Sequence, residues 1–472
     1  MGIANRLMRR PGRRALRASP LDVGERDTLL AGWGRTAPSL ATVHAVETVD
    51  DVVGAIARTT PGSRGLLARG LGRSYGDAAQ SGGGVVLDTA ELNTWQFDPT
   101  SCVVTAGGGV SLDSLLRGIV PQGAFVPVTP GTRFVTVGGA IAADVHGKNH
   151  HVSGSFGAHV QRMQLVDGLA QVRELIPDGE SADAFWATVG GMGLTGVMTQ
   201  ASFACIPITS ALMQVDTERA DTLDDVMARM VARDGDYRYS VAWIDTMHPS
   251  GRGVLTRGDH APVDALPAQG RTRALDYNPE PRLAVPDVVP GVALNPLSVR
   301  AFNEFWFRRH PRLRVGELMS IPAFFHPLDG VAHWNRMYGR RGFVQYQFVV
   351  PDEAAAVVPL ALARLREISA PSFLTVLKRF GPANRGPLSF PQPGWTLAAD
   401  IPASTPGLGR VLDELDEVVA DAGGRLYLAK DSRQSPEMFR RTYPELPAWQ
   451  AVRHALDPHG IFTSDMARRL EL

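Results

Sequence analysis

The chain has 472 residues, of which 44% are hydrophobic and 20% charged, and its formal net charge is zero. This length predicts two or three domains with cores of their own, and the balanced charge gives no support for a nucleic-acid-binding protein. The two cysteines form no CxxC pair, which excludes a cysteine-rich zinc site and a disulfide framework, so Cys102 and Cys205 are expected to be free core thiols.

Residues 1–30 are predicted to form a flexible basic tail. The tail is rich in arginine, but no apolar run follows its paired arginines, so a secretory signal is not expected. No stretch of about 18 apolar residues occurs anywhere in the chain, so no membrane span is expected either. These features favour a cytoplasmic protein, and the arginines leave open a peripheral contact with anionic lipid.

Residues 31–210 are predicted to form the first domain, in which short apolar strands alternate with helices. Thr48, Ser111 and Ser181 each precede a helical pattern and are expected as N-caps, and Gly123 is expected to end the second helix. Strands are predicted at GLLARG, GVVLDT and SCVVTAGGG, with a hairpin formed by AHVQRMQLVDG and VRELIP.

The stretch ARGLGRSYGDA, residues 68–78, places closely spaced glycines among polar donors. Gly70, Gly72 and Gly76 allow successive backbone N–H groups to point into one concavity, and such a nest binds an anion. Further donors are expected from Arg69, Arg73, Ser74 and Tyr75. A second glycine-rich segment, PGTRFVTVGG, follows later in the chain. The two loops together predict a site for one long cofactor with a pyrophosphate centre.

The literal dinucleotide fingerprint GxGxxG also occurs, at Gly191, Gly193 and Gly196. A Rossmann fingerprint follows a strand and opens a helix. Here the pattern predicts a helix before the glycines and a strand after them, so an NAD-binding Rossmann domain is not favoured.

Residues 211–424 are predicted to form a second, substrate-binding domain, and residues 425–472 to return to the first domain. The proline-rich stretch 262–296 is typical of a lid or a binding loop. Gln345 and Gln347 alternate on one predicted strand, so both amides face the same side. Two amides on one face can bind sugar hydroxyls, although a polar outer face is the more common arrangement.

Several long motifs resemble those of the vanillyl-alcohol-oxidase-type FAD superfamily: RGLGRSYGD, PGTRFVTVGGAIAADVHGKNHH and GGMGLTG. Others, GWGRTAPS, QYQFVVP, LYLAKDSR and FTSDMARRLEL, are similar to the branch of that superfamily that oxidises decaprenylphosphoryl-β-D-ribose. The resemblance runs from residue 32 to the end of the chain. It implies an α+β fold in which a two-subdomain FAD-binding domain is interrupted by a substrate-binding domain.

The resemblance implies FAD contacts in the two glycine-rich segments, in the strand after GxGxxG and near the C-terminus. The implied residues are Ala68, Arg69, Gly70, Leu71, Gly72, Arg73, Ser74, Tyr75, Gly76, Asp77, Ala78, Gly131, Thr136, Val137, Gly138, Gly139, Ala143, Asp144, Val145, His146, Val197, Met198 and Tyr427. Many sugar oxidases of the superfamily carry a histidine that bonds covalently to the flavin where this chain has Arg73. Non-covalent FAD is therefore implied.

Lys430 and His146 are the implied catalytic residues. Lys430 would act as a base if it is desolvated, or otherwise as a fixed positive charge that favours an alkoxide. From spacing alone, the ordinary alternatives are an ion pair between Lys430 and Asp431 and a structural role for His146 in a turn.

The implied substrate contacts combine polar groups for the sugar and phosphate with an apolar wall for the first prenyl units. They are Tyr75, Trp243, Phe325, Leu328, Gln345, Gln347, Lys378, Phe380, Thr396 and Lys430. Lys378 would meet the phosphate. Ala398 stands where mycobacterial relatives have a cysteine that nitroaromatic inhibitors trap.

The implied reaction is FAD-dependent oxidation of the 2′-hydroxyl of decaprenylphosphoryl-β-D-ribose, or a similar polyprenyl-phosphoryl pentose, to the 2′-keto sugar. A separate NAD(P)H-dependent keto-reductase would complete epimerisation to the arabinose form used for cell-wall arabinan, and O₂ or a quinone would accept the electrons. The resemblance also allows a location in the cell envelope. The alternatives are an FAD-dependent oxidase of free alditols or aldonolactones, and a non-catalytic FAD-binding subunit.

Overall fold

The computed structural model describes residues 26–281, 283–286 and 294–472. Most of the predicted basic tail, residues 1–25, and part of the predicted lid, residues 282 and 287–293, lie outside the described residues. Residues 26–30, placed in the tail by the sequence, form a strand instead. This strand pairs antiparallel with residues 39–43 of the next one, so the predicted end of the tail is wrong by five residues.

The elements up to residue 210 are short. The strands are β1 (Arg26–Leu30), β2 (Ser39–Ala45), β3 (Leu66–Arg69), β4 (Val85–Asp88), β5 (Trp95–Asp98), β6 (Val103–Gly107), β7 (Ala124–Phe125), β8 (Val160–Val166), β9 (Val172–Leu175), β10 (Val197–Ala204) and β11 (Ile206–Pro207). The α-helices are α1 (Val49–Arg58), α2 (Leu112–Ile119), α3 (Val137–Ala142), α4 (His150–Ser153) and α5 (Ala182–Thr188).

Two sheets organise this part of the chain. Strands β1, β2, β4 and β3 lie in that order in a four-stranded sheet, in which β4 runs parallel to both of its neighbours. Strands β5, β6, β10, β8 and β9 form an antiparallel five-stranded sheet. The loop after β3, residues 70–84, therefore starts at the end of a buried parallel strand, where such loops commonly carry ligand-binding groups.

The middle of the chain adds longer strands. These are β12 (Leu212–Ala220), β13 (Tyr239–Ile244), β14 (Gly253–His260), β15 (Leu283–Ala284), β16 (Leu313–Ser320), β17 (Val331–Ala332), β18 (Phe343–Val350), β19 (Thr375–Phe380) and β20 (Gly394–Pro402). The α-helices are α6 (Leu223–Arg233), α7 (Ala268–Arg271), α8 (Pro296–Arg309), α9 (Ile321–Phe325), α10 (Val357–Glu367) and α11 (Leu408–Asp421). The C-terminal part contains β21 (Arg425–Leu426), α12 (Pro436–Thr442), α13 (Leu446–Leu456) and α14 (Asp465–Leu470).

An eight-stranded antiparallel sheet, in the order β16-β12-β14-β13-β19-β20-β18-β21, separates a packed core from the site described below. Successive side chains of a strand point to opposite faces. On one face, residues such as Ala242, Phe348 and Leu397 pack in a core with α6, α10 and α11. On the other, Trp243 and Gln347 face a cavity. The period of the strands thus fixes which side chains can reach a ligand.

After β21 the chain returns to the first part of the molecule. Helices α12, α13 and α14 share a core with residues of α5 and of the GxGxxG stretch. The buried indole of Trp449 donates a 2.9 Å hydrogen bond to the carbonyl of Ala187. We propose, from this arrangement, the domain division that the sequence predicts: an FAD-binding domain over 31–210 and 425–472, and a substrate-binding domain over 211–424.

The local signals are confirmed with one exception. The side chains of Thr48 and Ser111 cap α1 and α2, and Gly123 ends the helical segment after α2 in the left-handed conformation. Ser181 precedes α5 but does not cap it, because its hydroxyl accepts a hydrogen bond from the backbone N–H of Ile176. The GxGxxG stretch lies between α5 and β10, as predicted, and not between a strand and a helix.

Candidate active site

A cavity of about 650 Å³ lies between the two glycine-rich segments and the face of the eight-stranded sheet that carries Trp243 and Gln347. It brings together most of the predicted site residues, from the two glycine-rich segments, the strand after GxGxxG, the predicted substrate-binding domain and the C-terminal segment. Those that line it are Ala68, Arg69, Gly70, Leu71, Gly72, Arg73, Ser74, Tyr75, Ala78, Gly131, Thr136, Gly138, Gly139, Ala143, Val145, His146, Met198, Trp243, Phe325, Leu328, Gln345, Gln347, Lys378, Tyr427 and Lys430.

The first glycine-rich loop presents backbone donors to this cavity. Among the described residues, the backbone N–H groups of residues 70–74 donate no hydrogen bond to protein. The next residue is fixed, since the N–H of Tyr75 donates to the carbonyl of Ala429 over 2.8 Å. Gly72 has a φ of 62°, a left-handed conformation that costs glycine little. A run of free N–H groups in a held loop has the chemistry of an anion nest.

The second glycine-rich segment packs directly on the first. A Cβ at Gly70 would lie 2.3 Å from Oγ1 of Thr136, and that hydroxyl accepts a hydrogen bond from the N–H of Gly139. A Cβ at Gly138 would lie 3.0 Å from the carbonyl oxygen of Gly108. The glycines therefore allow close packing of Gly70 on Thr136 and of Gly138 on the backbone of Gly108, at positions where a Cβ would not fit freely.

The two arginines of the loop do not point freely into the cavity. The guanidinium of Arg69 donates to the carbonyls of Ala79 and Ala31, so it closes the loop on itself. That of Arg73 donates to the carbonyl of Leu71 over 2.7 Å and lies 4.1 Å from the ring centre of Trp33. Arg69 thus supports the nest mainly by shaping it.

Lys430 lies in a turn after β21, and its Nζ is 3.6 Å from the ring centre of Tyr75. The turn is closed by the N–H groups of Lys430 and Asp431, which both donate to the carbonyl of Tyr427. Asp431 is ion-paired with Arg469 at 2.9 Å, so the alternative of a Lys430–Asp431 pair is wrong. Desolvation lowers the pKa of Lys430 to about 7, although the charge of Asp400 opposes that shift.

Asp400 is a buried carboxylate behind the cavity wall. It lies on β20, where it accepts a hydrogen bond from the side-chain amide of Gln345, while its Oδ2 has no hydrogen-bond partner among the described residues. Burial raises the pKa of Asp400 to about 7, and the Gln345 bond and the positive charge of Lys430 act in the opposite direction. Asp400 and Lys430 therefore titrate as a pair near neutral pH.

His146 is held by the second amide of the sheet. The side-chain nitrogen of Gln347 lies 3.0 Å from Nε2 of His146 and 3.3 Å from the hydroxyl of Thr396. With the amide as donor, Nε2 accepts and the imidazole proton sits on Nδ1. That Nδ1 is buried and has no hydrogen-bond partner in the described part of the chain. Desolvation, with nearby Lys378, His150 and Lys430, holds the pKa of His146 well below its usual value, so it is neutral at pH 7.

Two further lysines line the cavity. Burial lowers the pKa of Lys378 to about 8. Burial and the nearby charge of Lys378 together lower the pKa of Lys148 to about 7. Lys148 donates to the carbonyl of Phe324 and its Nζ lies 4.2 Å from the centre of that ring. Mutually repelling cations in one cavity favour the binding of an anion.

Apolar side chains line the cavity beside the lysines. Trp243 on β13 pairs with Val376 on β19, two residues before Lys378, so Trp243 and Lys378 lie on the same face of the sheet. The indole N–H of Trp243 donates to the carbonyl of Phe373 over 2.9 Å. Phe325 and Leu328 also line the cavity, and Leu328 packs with Trp334. The cavity thus combines charged and apolar groups, as a site for an amphiphilic ligand would.

Seven predicted residues lie outside the cavity wall. Val137 and Val197 are core residues. Gly76 packs against backbone, since its Cβ would lie 1.9 Å from the carbonyl oxygen of Asp431. Asp77 is ion-paired with Arg469 at 2.8 Å. These four support the loop and the core from behind.

The other three brace His146. Asp144 accepts hydrogen bonds from Ser155, Asn384, Ser389 and the N–H of Gly157, and so holds the backbone just before His146. The ring of Phe380 lies 4.8 Å from the His146 ring, and Thr396 bonds to the amide that holds it. These three side chains therefore support His146, and none of them lines the cavity.

Lys148 and Asp400 were missed by the sequence interpretation, although each had a signal. Lys148 stands inside the motif HGKNHH, two residues after His146. Asp400 follows Thr396 and Ala398 at a spacing of two on β20, and strand periodicity places all three on one face.

The chain was compared with known proteins. Residues 40–176 match the FAD binding domain family, and residues 402–470 match D-arabinono-1,4-lactone oxidase. Decaprenylphosphoryl-beta-D-ribose oxidase of Mycolicibacterium smegmatis is 44% identical over 449 residues, which cover 94% of this chain and 97% of that protein. The chain belongs to the decaprenylphosphoryl-β-D-ribose oxidase family.

Two other relatives support parts of this assignment. An uncharacterized protein in the mprA 5′ region of Streptomyces coelicolor is 39% identical and covers 77% of this chain and 100% of its own length. An FAD-linked oxidoreductase of Aspergillus fumigatus is 26% identical over 36% of each chain. Members of the decaprenylphosphoryl-β-D-ribose oxidase family with this domain are FAD-dependent oxidoreductases, and FAD is the cofactor of this chain.

The cavity fits FAD. The free N–H groups of residues 70–74 suit a pyrophosphate, and a Cβ at Gly131, in the second segment, would meet nothing within 4 Å. The hydroxyl of Tyr427 donates to the carbonyl of Ala143 over 2.8 Å. This bond connects the C-terminal segment to the chain just after the second glycine-rich segment. We propose that the cavity-lining residues of the two glycine-rich segments, with Met198 and Tyr427, hold FAD, and that Arg73 leaves it non-covalent.

Proposed function

We propose that the chain oxidises the 2′-hydroxyl of decaprenylphosphoryl-β-D-ribose to the 2′-keto sugar. The observation that carries this proposal is the convergence of Lys430, Lys378 and Gln347 on one cavity that also contains the anion nest. This arrangement supplies a proton acceptor, a phosphate partner and a hydroxyl ligand beside the cofactor site. The identity to the mycobacterial oxidase, over nearly both chains, supports the same substrate.

Different residues of the chain accept the proton, hold the hydroxyl and bind the phosphate. When bound, FAD supplies the hydride acceptor, so the sugar carbon loses a hydride and its hydroxyl loses a proton. Desolvation lowers the pKa of Lys430 to about 7, which suits its amine to accept that proton. Gln347 and neutral His146 hold the hydroxyl, and Lys378, with Lys148, binds the phosphate.

Two partners complete the reaction. The keto product has the oxidation state of neither pentose epimer, so a separate NAD(P)H-dependent keto-reductase must return two electrons from the opposite face of the sugar. O₂ or a quinone would serve as the electron acceptor. No helix among the described residues is long and apolar enough to cross a membrane, and we propose a peripheral contact with the membrane that carries the substrate.

Substrate labelled at one carbon tests this function. With deuterium at C2′ of the lipid-linked ribose, we expect the product to lose the label and oxidation to slow several-fold, as a broken C–H bond requires. Deuterium at C3′ is the matched control and should remain in the product. Loss of the C3′ label with retention of C2′ would contradict the proposed position of oxidation.

A second candidate follows from the match of residues 402–470 to D-arabinono-1,4-lactone oxidase. It is an FAD-dependent oxidase of free alditols or aldonolactones. That match includes the C-terminal helices and Lys430, but it does not include Lys148, Gln347 or Lys378. Turnover of free aldonolactones, without turnover of the lipid-linked ribose, would select this function.

A further inference from the structure

The helix α8 exposes a second apolar stripe. Val299, Asn303 and Phe307 form its buried face. On the opposite side Leu297 is 76% exposed, Phe305 62% and Phe302 41%. A surface helix normally presents polar residues to water, and large apolar groups clustered on one solvent-facing side mark an interaction site.

The exposed apolar surface continues into the next strand. β16 begins three residues after His310 and lies at one edge of the eight-stranded sheet, where β12 is its only partner among the described strands. Its first residues Leu313 and Val315 are 61% and 68% exposed. We call the outer residues of α8 and the start of β16 the α8 surface; it comprises Leu297, Arg300, Phe302, Phe305, Arg308, Arg309, Arg312, Leu313, Arg314 and Val315.

The α8 surface is also basic. Residues 296–317 contain five arginines and two glutamates. Glu304 is paired with Arg252 and Arg308, and Glu317 with Arg314. Arg300, Arg309 and Arg312 are in none of the ion pairs formed within the described residues. Arginines among exposed apolar side chains complement a surface of anionic lipid headgroups.

The α8 surface contacts the lining of the cavity. Phe302 stacks on Trp306 with ring centres 6.0 Å apart, and Trp306 and His310 both line the cavity. The guanidinium of Arg309 lies 5.5 Å from the centre of the Trp306 ring, so basic and aromatic groups of the α8 surface lie next to the cavity. A lipid-linked substrate needs membrane contact close to the site, because its prenyl tail stays in the bilayer while the sugar phosphate enters the cavity.

We propose that the α8 surface docks on a bilayer that contains anionic lipid, so that the cavity mouth beside Trp306 opens toward the membrane. This inference rests on the proposed function, since it assumes a substrate held in a membrane. The charge of the surface, its exposed aromatic groups and its continuity with the cavity favour a bilayer over a protein partner.

Vesicle sedimentation of the FAD-loaded full chain tests the proposal. We expect the wild type to sediment with phosphatidylcholine vesicles that contain phosphatidylglycerol, and less with phosphatidylcholine alone. L297S/F305S should bind at least about tenfold more weakly, because two exposed apolar groups lose their buried area. L40S/V231S, which changes two residues that are 55% and 60% exposed elsewhere, should bind like the wild type. R309E/R312E should lose the preference for phosphatidylglycerol.

Three results would overturn the proposal. The first is failure of the wild type to sediment with either vesicle. The second is sedimentation of L297S/F305S like that of the wild type, which would assign binding to residues 1–25 or to another surface. The third is a wild-type dimer in solution that L297S/F305S dissociates, which would assign the surface to a second copy of the chain.

A soluble substrate separates this inference from the proposed function. A short prenyl-phosphoryl ribose that dissolves in water should be oxidised equally by the wild type and by L297S/F305S, whereas long-chain substrate in vesicles should be oxidised more slowly by the variant. If the wild type does not oxidise the soluble substrate, the proposed function fails, whatever the vesicle result. If both proteins oxidise the vesicle-bound substrate equally, only the docking proposal fails.

Discussion

The two sides of the cavity recognise their ligands by different means. The glycine-rich side uses backbone N–H groups and leaves no room for a Cβ at Gly70. The sheet side uses ionisable side chains, among them Lys378, Lys430 and Asp400, in partly desolvated positions. Binding on the glycine-rich side depends on shape, and backbone N–H groups do not titrate near neutral pH. Binding on the sheet side depends on charge, and small electrostatic changes alter the protonation of its groups.

This difference predicts that mutations on the two sides separate cofactor binding from chemistry. A change on the glycine-rich side should release FAD and leave the reactivity of any retained FAD intact. A change on the sheet side should leave FAD bound and slow its reduction by substrate.

The largest effect is expected for Lys430→Met, which keeps the aliphatic stem and removes the amine. Reduction of bound FAD by substrate should slow by about 10³–10⁴-fold, since both a base and a nearby charge are lost. FAD content should not change. Lys430→Arg is the matched control: recovery of rate by arginine would assign a fixed charge, and no recovery would assign a base. Near-normal reduction in Lys430→Met would instead argue against the catalytic role proposed for Lys430.

Gly70→Ala should weaken FAD binding by about tenfold or more, because its Cβ would overlap Oγ1 of Thr136 at 2.3 Å. FAD fluorescence during dilution measures the loss. Gly409→Ala, within α11, is the control, since a Cβ there meets nothing within 4 Å. Unchanged FAD affinity in Gly70→Ala would argue against close packing of the two glycine segments in the loaded protein.

Asp400→Asn should move the pH profile of flavin reduction to lower pH. Desolvation lowers the pKa of Lys430 to about 7, and the negative charge of Asp400 opposes that shift. Removing that charge therefore lowers the pKa of Lys430 further. If the free amine is the base, the acidic limb moves down and activity at pH 6 rises. If the ammonium is needed, the alkaline limb moves down and activity at pH 8 falls. An unmoved profile, with normal FAD content, would show that the two groups are not coupled.

Ala398→Cys should have the smallest effect, a change in turnover within about twofold, because a small side chain is added to an open cavity wall. It should make the protein susceptible to covalent capture by nitroaromatic inhibitors, read as a mass increase. The wild type provides the control, since burial raises the pKa of both Cys102 and Cys205, the latter to about 12, and thiolates are the reactive form. Equal labelling of both proteins would contradict this account.

Much of the glycine-rich side could be predicted because its signals are local. The spacing of Gly70 and Gly72, the Thr48 and Ser111 caps and the order of α5, GxGxxG and β10 all depend on neighbouring residues. Ser181 shows the limit, because its hydroxyl was taken by a backbone group five residues earlier.

The sheet side could not be predicted in the same way. Its strand order joins β12 to β16 and β13 to β19 across long separations, and such pairings carry no local signal. The meeting of Lys430 with Tyr75 and of Asp400 with Gln345 depends on that order. The resemblance to known flavoproteins indicated the lysine, but only the packed sheet revealed the carboxylate behind it.

The most direct test of the central claim is anaerobic mixing of the FAD-loaded protein with a polyprenyl-phosphoryl ribose, followed by the oxidised-flavin absorption band. We expect the band to bleach in a single turnover in the wild type and to persist in Lys430→Met. A band that persists in the wild type with this substrate, but bleaches with free alditols or aldonolactones, would contradict the account and select the second function.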